Sequence, residues 1–177
     1  MRQRGRGIVA ARALAKSGAV EVCMNDINPL ALQYAAVNAL FAGIPVKAAL
    51  GNALRSVKGD FDLIISNPPY LDDTAQRAYR PGGAGPGLAL SVRIGQEALA
   101  RLAPGGRLLL YTGAAIVGEV DAFLMGMQPL LVDARLEWSY SEIDPDVFGE
   151  ELEQPAYAHV ERIAAVGLTV TRKTEAH

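Results

Sequence analysis

The sequence predicts an α/β fold, a mostly parallel sheet covered by helices and finished by an antiparallel C-terminal hairpin. Three observations point there. Short apolar runs of strand length alternate with Ala- and Leu-rich helical segments through the first two thirds of the chain. Half of the 177 residues are hydrophobic but only 6% are aromatic, which suits helices packed on an apolar sheet. The last third carries two strand-like runs, over 134–143 and 159–172, with no convincing helix between them. No repeat or low-complexity linker divides the chain, so 1–177 reads as a single domain with one core.

The elements follow from local signals. An Ala-rich helix is expected over 8–16, stopped by Ser17-Gly18 in the manner of a glycine C-cap. An apolar strand over 20–24 comes next. Asn28-Pro29 then opens a helix, with Asn as N-cap and Pro at the first helical position, running to about residue 41 and ending at Gly43. A strand is expected over 45–50, and the run over 61–66 (Phe-Asp-Leu-Ile-Ile-Ser) has the continuous apolar character of a buried strand. Residues 72–87 are rich in Gly, Pro and charge and read as a long loop, a kind of segment that is often functional. A helix over 88–102, a turn at Pro104-Gly105-Gly106, a strand over 107–111 and a helix over 117–127 lead to the terminal hairpin, joined by 144–157.

Bulk properties narrow the function. The net charge of -2 provides no global field toward nucleic acid or an anionic membrane, although a local patch would suffice for a nucleic-acid substrate. The single cysteine, Cys23, rules out an intramolecular disulfide and reads as a buried thiol in a reducing cytoplasm. No apolar stretch approaches the ~20 residues of a membrane span, and no secretory signal opens the chain, so a soluble cytoplasmic protein is expected. His159 and His177 lack metal-ligand spacing, no nucleophile–base pair is evident, and no metal is expected.

Asn67-Pro68-Pro69-Tyr70 is the sharpest chemical signal. It follows an apolar strand, at the edge where open α/β sheets bind ligands. A planar amide or aromatic amine is a poor nucleophile because its lone pair is delocalised. Acceptors aimed at its N–H groups bias it toward attack, and the Asn67 side-chain oxygen and Pro68 carbonyl suit that task. Pro68 and Pro69 fix the backbone and remove two competing donors, and Tyr70 offers a face for stacking a flat group. The competing interpretation is a stiff Pro-rich turn with no further role. Asp26, with Ile27 beside it, is placed to accept hydrogen bonds from the two ribose hydroxyls of a nucleoside cofactor. That placement fits a nicotinamide dinucleotide as well as S-adenosylmethionine, and the acid could instead belong to the cap of the next helix.

The run Phe61-Asp62-Leu63-Ile64-Ile65-Ser66-Asn67-Pro68-Pro69-Tyr70 resembles the fourth motif of class I amino-methyltransferases. These comprise the HemK-type enzymes that methylate a release-factor glutamine, and the adenine and guanine N-methyltransferases. The resemblance extends from about residue 5 to 171 and leans toward HemK-like and small-domain methyltransferases, through Tyr79-Arg80-Pro81-Gly82-Gly83, Gly87 and Leu102-Ala103-Pro104-Gly105-Gly106. No Glu-Pro pair of the HemK type follows the motif.

The resemblance implies a Rossmann-like class I methyltransferase sheet with S-adenosylmethionine as methyl donor. In the resembling enzymes an acid usually stands where Asn52 is, in Gly51-Asn52-Ala53, and contacts the adenine amino group; Asn52 can accept one such bond without the charge, or be an ordinary turn residue. Gly5 and Gly7 match the last two glycines of the family's cofactor turn, Gln3 stands at the first, and the apolar strand that should precede the turn is missing. The chain is therefore expected to be N-terminally truncated.

The expected substrate is a protein glutamine amide, as on a release factor, or nearly as well an RNA or DNA base amine, which offers similar N–H geometry. The acidic segment holding Asp144, Asp146, Glu150 and Glu151 tilts this toward protein, though a solvated loop is the plainer account. Trp138, Tyr140 and Tyr157 are expected to pack rather than recognise. A non-catalytic cofactor-binding or partner module, and a nicotinamide oxidoreductase, are the competing classes.

Overall fold

The computed structural model describes residues 18, 21–68, 86–147, 152–153 and 157–174. Gly5, Gly7, the helix expected over 8–16, Pro69, Tyr70 and the expected loop up to residue 85 lie outside them. Backbone contacts divide the chain into two compact units, Met1–Gly59 and Asp60–His177.

In the first unit, β1 (Cys23–Asp26) pairs in parallel with β2 (Lys47–Leu50), with Cys23 opposite Lys47 and Asp26 opposite Leu50. Both strands are shorter than the apolar runs that announced them. Helix α1 (Pro29–Phe41) makes the crossover. The Asn28 side chain accepts from the amides of Leu30 and Ala31, and Pro29 occupies the first helical position, as its sequence signal required. Gly43, at φ 68°, turns the chain away in the left-handed region. Val22, Met24, Ala35 and Ala39 form the core of this unit, with Val46 packed against it. Strand alternation therefore corrects one expectation: Val22 and Met24 point inward, and Cys23 between them is only half-buried. Burial, with the Glu21 carboxylate next in weight, still raises its thiol pKa.

The second unit is built on one five-stranded sheet. Its main path runs β3 (Phe61–Ser66), β4 (Leu102–Val117), β7 (Arg162–Arg172) and β6 (Leu136–Asp144), and the short β5 (Val120–Asp121) pairs with β4. Strands β3 and β4 are parallel; β7 lies antiparallel to both β4 and β6. The fold is thus α/β with parallel pairing first and an antiparallel C-terminal part, as the sequence indicated.

Two elements differ from expectation. Strand β4 begins before Pro104-Gly105-Gly106 and runs over 16 residues. Its pairing with β3 jumps from Phe61–Leu102 to Leu63–Arg107, so the Pro-Gly-Gly segment is an irregularity within the strand. Gly106 is required there, because a Cβ would sit 2.6 Å from the Phe61 carbonyl oxygen.

The helix expected from 117 starts later. Leu108, Leu110, Thr112, Ala114 and Ile116 are buried at strict period two, which carries the strand to Val117. Gly118 and Glu119, at φ 55° and 63°, then make a two-residue hairpin turn into β5. Helix α3 (Ala122–Leu131) begins only there, capped by the Asp121 carboxylate on the Leu124 amide at 2.8 Å.

Helix α2 (Pro86–Leu99) and α3 cover one face of the sheet. The Ser91 hydroxyl bonds that of Thr112 at 2.9 Å, so the two polar groups buried at this contact satisfy each other. Phe123, Met127, Leu108, Leu110, Leu168 and Val170 fill the layer. Tyr140 stacks on Phe123 with ring centroids 6.3 Å apart and donates its hydroxyl to the Asp121 carboxylate, as its expected packing role requires. Burial, reinforced by that carboxylate, raises the tyrosine pKa strongly. Trp138 remains 42% exposed on edge strand β6.

Candidate active site

The candidate residues fall in both units. In the first, the carboxyl ends of β1 and β2 lie side by side. The Gly51 amide donates to the Asp26 carbonyl oxygen at 3.0 Å, bringing the Gly51-Asn52-Ala53 turn next to Asp26. Asp26 and Asn52 are both exposed, and Ile27 is 67% exposed beside them.

Asp26 is less free than its sequence context suggested. One carboxylate oxygen accepts the Asn28 amide at 2.8 Å, although Asn28 itself caps the helix. Among the described residues its second oxygen has no partner, and it can accept from a hydroxyl. A carboxylate with one open acceptor oxygen beside an Asn-bearing turn fits the hydroxyl groups of a nucleoside.

That turn is held by a residue the sequence reading did not single out. Asn25 donates through Nδ2 to the Gly51 carbonyl oxygen at 3.2 Å and to Ser56 Oγ at 2.8 Å. These bonds tie the end of β1 to a short 3-10 helix, Ala53–Ser56, which Asn52 precedes. Ala53 takes φ 54°, unusual for a non-glycine residue. At Gly51 a Cβ would fall 2.3 Å from Ser56 Oγ, so the segment packs closely on itself. Only adjacency to Asp26 could have pointed to Asn25.

In the second unit, β3 delivers Asn67 and Pro68 to its carboxyl end. Ile64 is buried in the strand, Pro68 is buried after it, and Asn67 between them is exposed. Among the described residues the Asn67 side chain makes no hydrogen bond. Asp144 and Asp146, from the acidic segment, are exposed at the end of β6, and the Asp146 amide donates to the Asp144 carboxylate at 3.1 Å.

A parallel strand pair ending in an exposed acid, and a parallel strand followed by Asn-Pro, are features of a Rossmann-like methyltransferase fold. The chain belongs to the methyltransferase small-domain family, whose sequence model matches residues 4–116. Over 158 residues it is 35% identical to the release factor glutamine methyltransferase of Deinococcus radiodurans, covering 83% of this chain and 53% of that protein. Over 78 residues it is 37% identical to the ribosomal RNA small subunit methyltransferase C of Mannheimia succiniciproducens, covering 43% of this chain and 23% of that one. Its fold matches the ribosomal protein L11 methylase of Lactobacillus delbrueckii subsp. bulgaricus with a TM-score of 0.59 at 18% identity, over 94% of this chain and 65% of that one. The chain spans about half the length of the release factor methyltransferases it matches. No described helix is long and apolar enough to cross a membrane.

Proposed function

We propose that this chain, acting as one catalytic domain over 1–177, transfers a methyl group from S-adenosylmethionine to a planar nitrogen, with a protein glutamine amide as the favoured acceptor. The observation that carries the reading is Asn67: exposed, without a hydrogen-bond partner among the described residues, and followed by a buried proline at the end of strand β3. Likeness to release factor glutamine methyltransferases over most of the chain supports the choice of acceptor.

Asp26 and Ile27, with Asn52 and Ala53, are assigned to the nucleoside part of the cofactor, and Gly5 and Gly7 to its backbone approach. The bound cofactor supplies a methyl group on a positively charged sulfur that departs as a neutral thioether. Asn67 Oδ1 and the Pro68 carbonyl would accept from the two N–H groups of the acceptor amide and so position its nitrogen for methyl transfer. With the cofactor bound, the nitrogen would form its new bond to carbon as the carbon–sulfur bond broke with its electron pair on sulfur, and the nitrogen would release one proton to solvent. Pro69 and Tyr70 are assigned to the rim and the stacking face.

The second reading, a nucleic-acid base amine as acceptor, is favoured by the likeness to a ribosomal RNA methyltransferase. Radiolabelled methyl transfer into a cell extract, split into protein and RNA fractions, tests both. Label in protein, at a glutamine, supports the first; label confined to RNA supports the second; no transfer despite calorimetric binding of the cofactor overturns both and leaves a non-catalytic module.

A further inference from the structure

A charged notch lies at the end of the second unit's sheet opposite Asn67. Strand β7 runs antiparallel to β4, so Arg172 at its end stands beside the beginning of β4, whereas Asn67 follows the end of the parallel β3. The six residues of β3 separate these two ends by roughly 20 Å.

Two adjoining cavities, of about 270 and 200 Å³, share Arg135 and Arg172 as walls. The larger is lined by Leu99, Leu130 and Leu136 together with Asp133 and the two arginines. The smaller adds Lys173 and Thr174.

The charges there are unbalanced. Among the described residues three cations, Arg135, Arg172 and Lys173, face one carboxylate, Asp133. That carboxylate is committed to Arg135, whose Nη2 donates to it at 2.7 Å and whose Nε donates at 3.1 Å. Arg172 and Lys173 form no ion pair among the described residues. Both are nonetheless fixed in place: Arg172 Nη1 donates to the Leu102 carbonyl oxygen at 2.8 Å, and Lys173 Nζ to that of Ala134 at 2.9 Å. Those carbonyls orient the cations without neutralising them. An excess of two positive charges, held beside an open cavity with a hydroxyl on its rim, matches a phosphate group, which carries about -1.5 to -2 near neutral pH. The planar guanidinium is also the side chain best shaped for phosphate oxygens.

We propose that Arg135, Arg172 and Lys173 form a phosphate-binding notch at this end of the sheet. The proposal stands apart from the methyl-transfer reading, since it concerns the opposite end of the sheet and needs no cofactor. The phosphate can belong to a small phosphate ester or, as successive singly charged diesters, to a nucleic-acid backbone.

The test uses the full 177-residue chain. Inorganic phosphate is titrated against sodium chloride of matched ionic strength while the backbone amide resonances of Arg135, Arg172, Lys173 and Thr174 are followed. Saturable shifts with phosphate alone are expected. The affinity should fall at least tenfold in an Arg135→Gln, Lys173→Gln double variant and rise several-fold in Asp133→Asn, which removes the competing carboxylate. Shifts that track ionic strength, or that saturate equally in the double variant and in Asp133→Asn, overturn the proposal. A ten-nucleotide single-stranded RNA then separates the sources. Competition with phosphate at tenfold or better affinity assigns the notch to a nucleic-acid backbone; competition at no better affinity assigns it to small phosphate esters.

Discussion

The two compact units hold their apolar residues differently. Among the described residues of Met1–Gly59 six hydrophobic side chains are buried, two of them alanines, while α1 turns Val37, Leu40 and Phe41 toward solvent. In Asp60–His177 a 16-residue strand pairs along most of its length with β7, and helices α2 and α3 close over fully buried Leu, Met, Phe and Val side chains. The difference teaches where rigidity is available. A parallel pair four residues long cannot shield much surface by itself. A long central strand with partners on both sides can, and it carries Asn67 at the end of its neighbour β3. A group that must orient an acceptor benefits from the better-packed support, whereas a cofactor site can be assembled from turn bonds such as those of Asn25.

The largest expected effect tests the packing directly. Phe123→Ala, at a position with no solvent exposure, should lower stability by about 3–5 kcal/mol. Met24→Ala, in the smaller core, should cost about 2 kcal/mol, because a poorly enclosed site loses less on truncation. Urea denaturation measures both. A Met24 penalty equal to that of Phe123 would break the contrast between the units.

The proposed division of chemistry comes next in size. Asn67→Ala should reduce methyl transfer by at least ~100-fold, the scale of losing one well-placed polar group at a reacting centre. Cofactor affinity, read by calorimetry, should stay within a few-fold. Asp26→Ala should do the reverse, weakening the cofactor by ~1.5–3 kcal/mol as charge-assisted hydrogen bonds are lost. Part of that loss is indirect, because the same carboxylate holds the Asn28 amide ahead of α1. Exchanged phenotypes, with Asn67 governing affinity and Asp26 governing turnover, would refute the assignment of roles.

Much of this arrangement was legible in the sequence, for physical reasons that can be named. Asn28-Pro29 forms its cap from bonds within three residues, so the local signal was sufficient. The run ending at Ser66 announced a strand that forms with Asn67 after it, but of its six residues only Ile64 is buried, so the expected burial is not met. The boundary near Val117 was misjudged because Gly-Ala-Ala-Ile-Val suits a helix or a strand equally well. What decided it was pairing with 162–171, far along the chain. Asn25 was missed for the same reason: its partner Ser56 lies 31 residues away, a distance no local pattern encodes. The notch was missed because Asp133, Arg135 and Arg172 converge only once β6 and β7 pair.

The smallest expected effect sharpens the comparison from the other side. Phe41 is 95% exposed at the end of α1, so it contributes little burial to the folded state. Phe41→Ser should therefore shift stability by no more than ~0.5 kcal/mol, the range for surface positions away from caps and cores. The substitution also removes a large apolar side chain from a helix end where Leu40 is similarly exposed, so resistance to aggregation should be unchanged or improved. Urea midpoints and light scattering on the variant give both readouts. A loss above about 1 kcal/mol would mean that Phe41 is covered in solution, and the first unit would then owe more of its stability to α1 than its small core indicates.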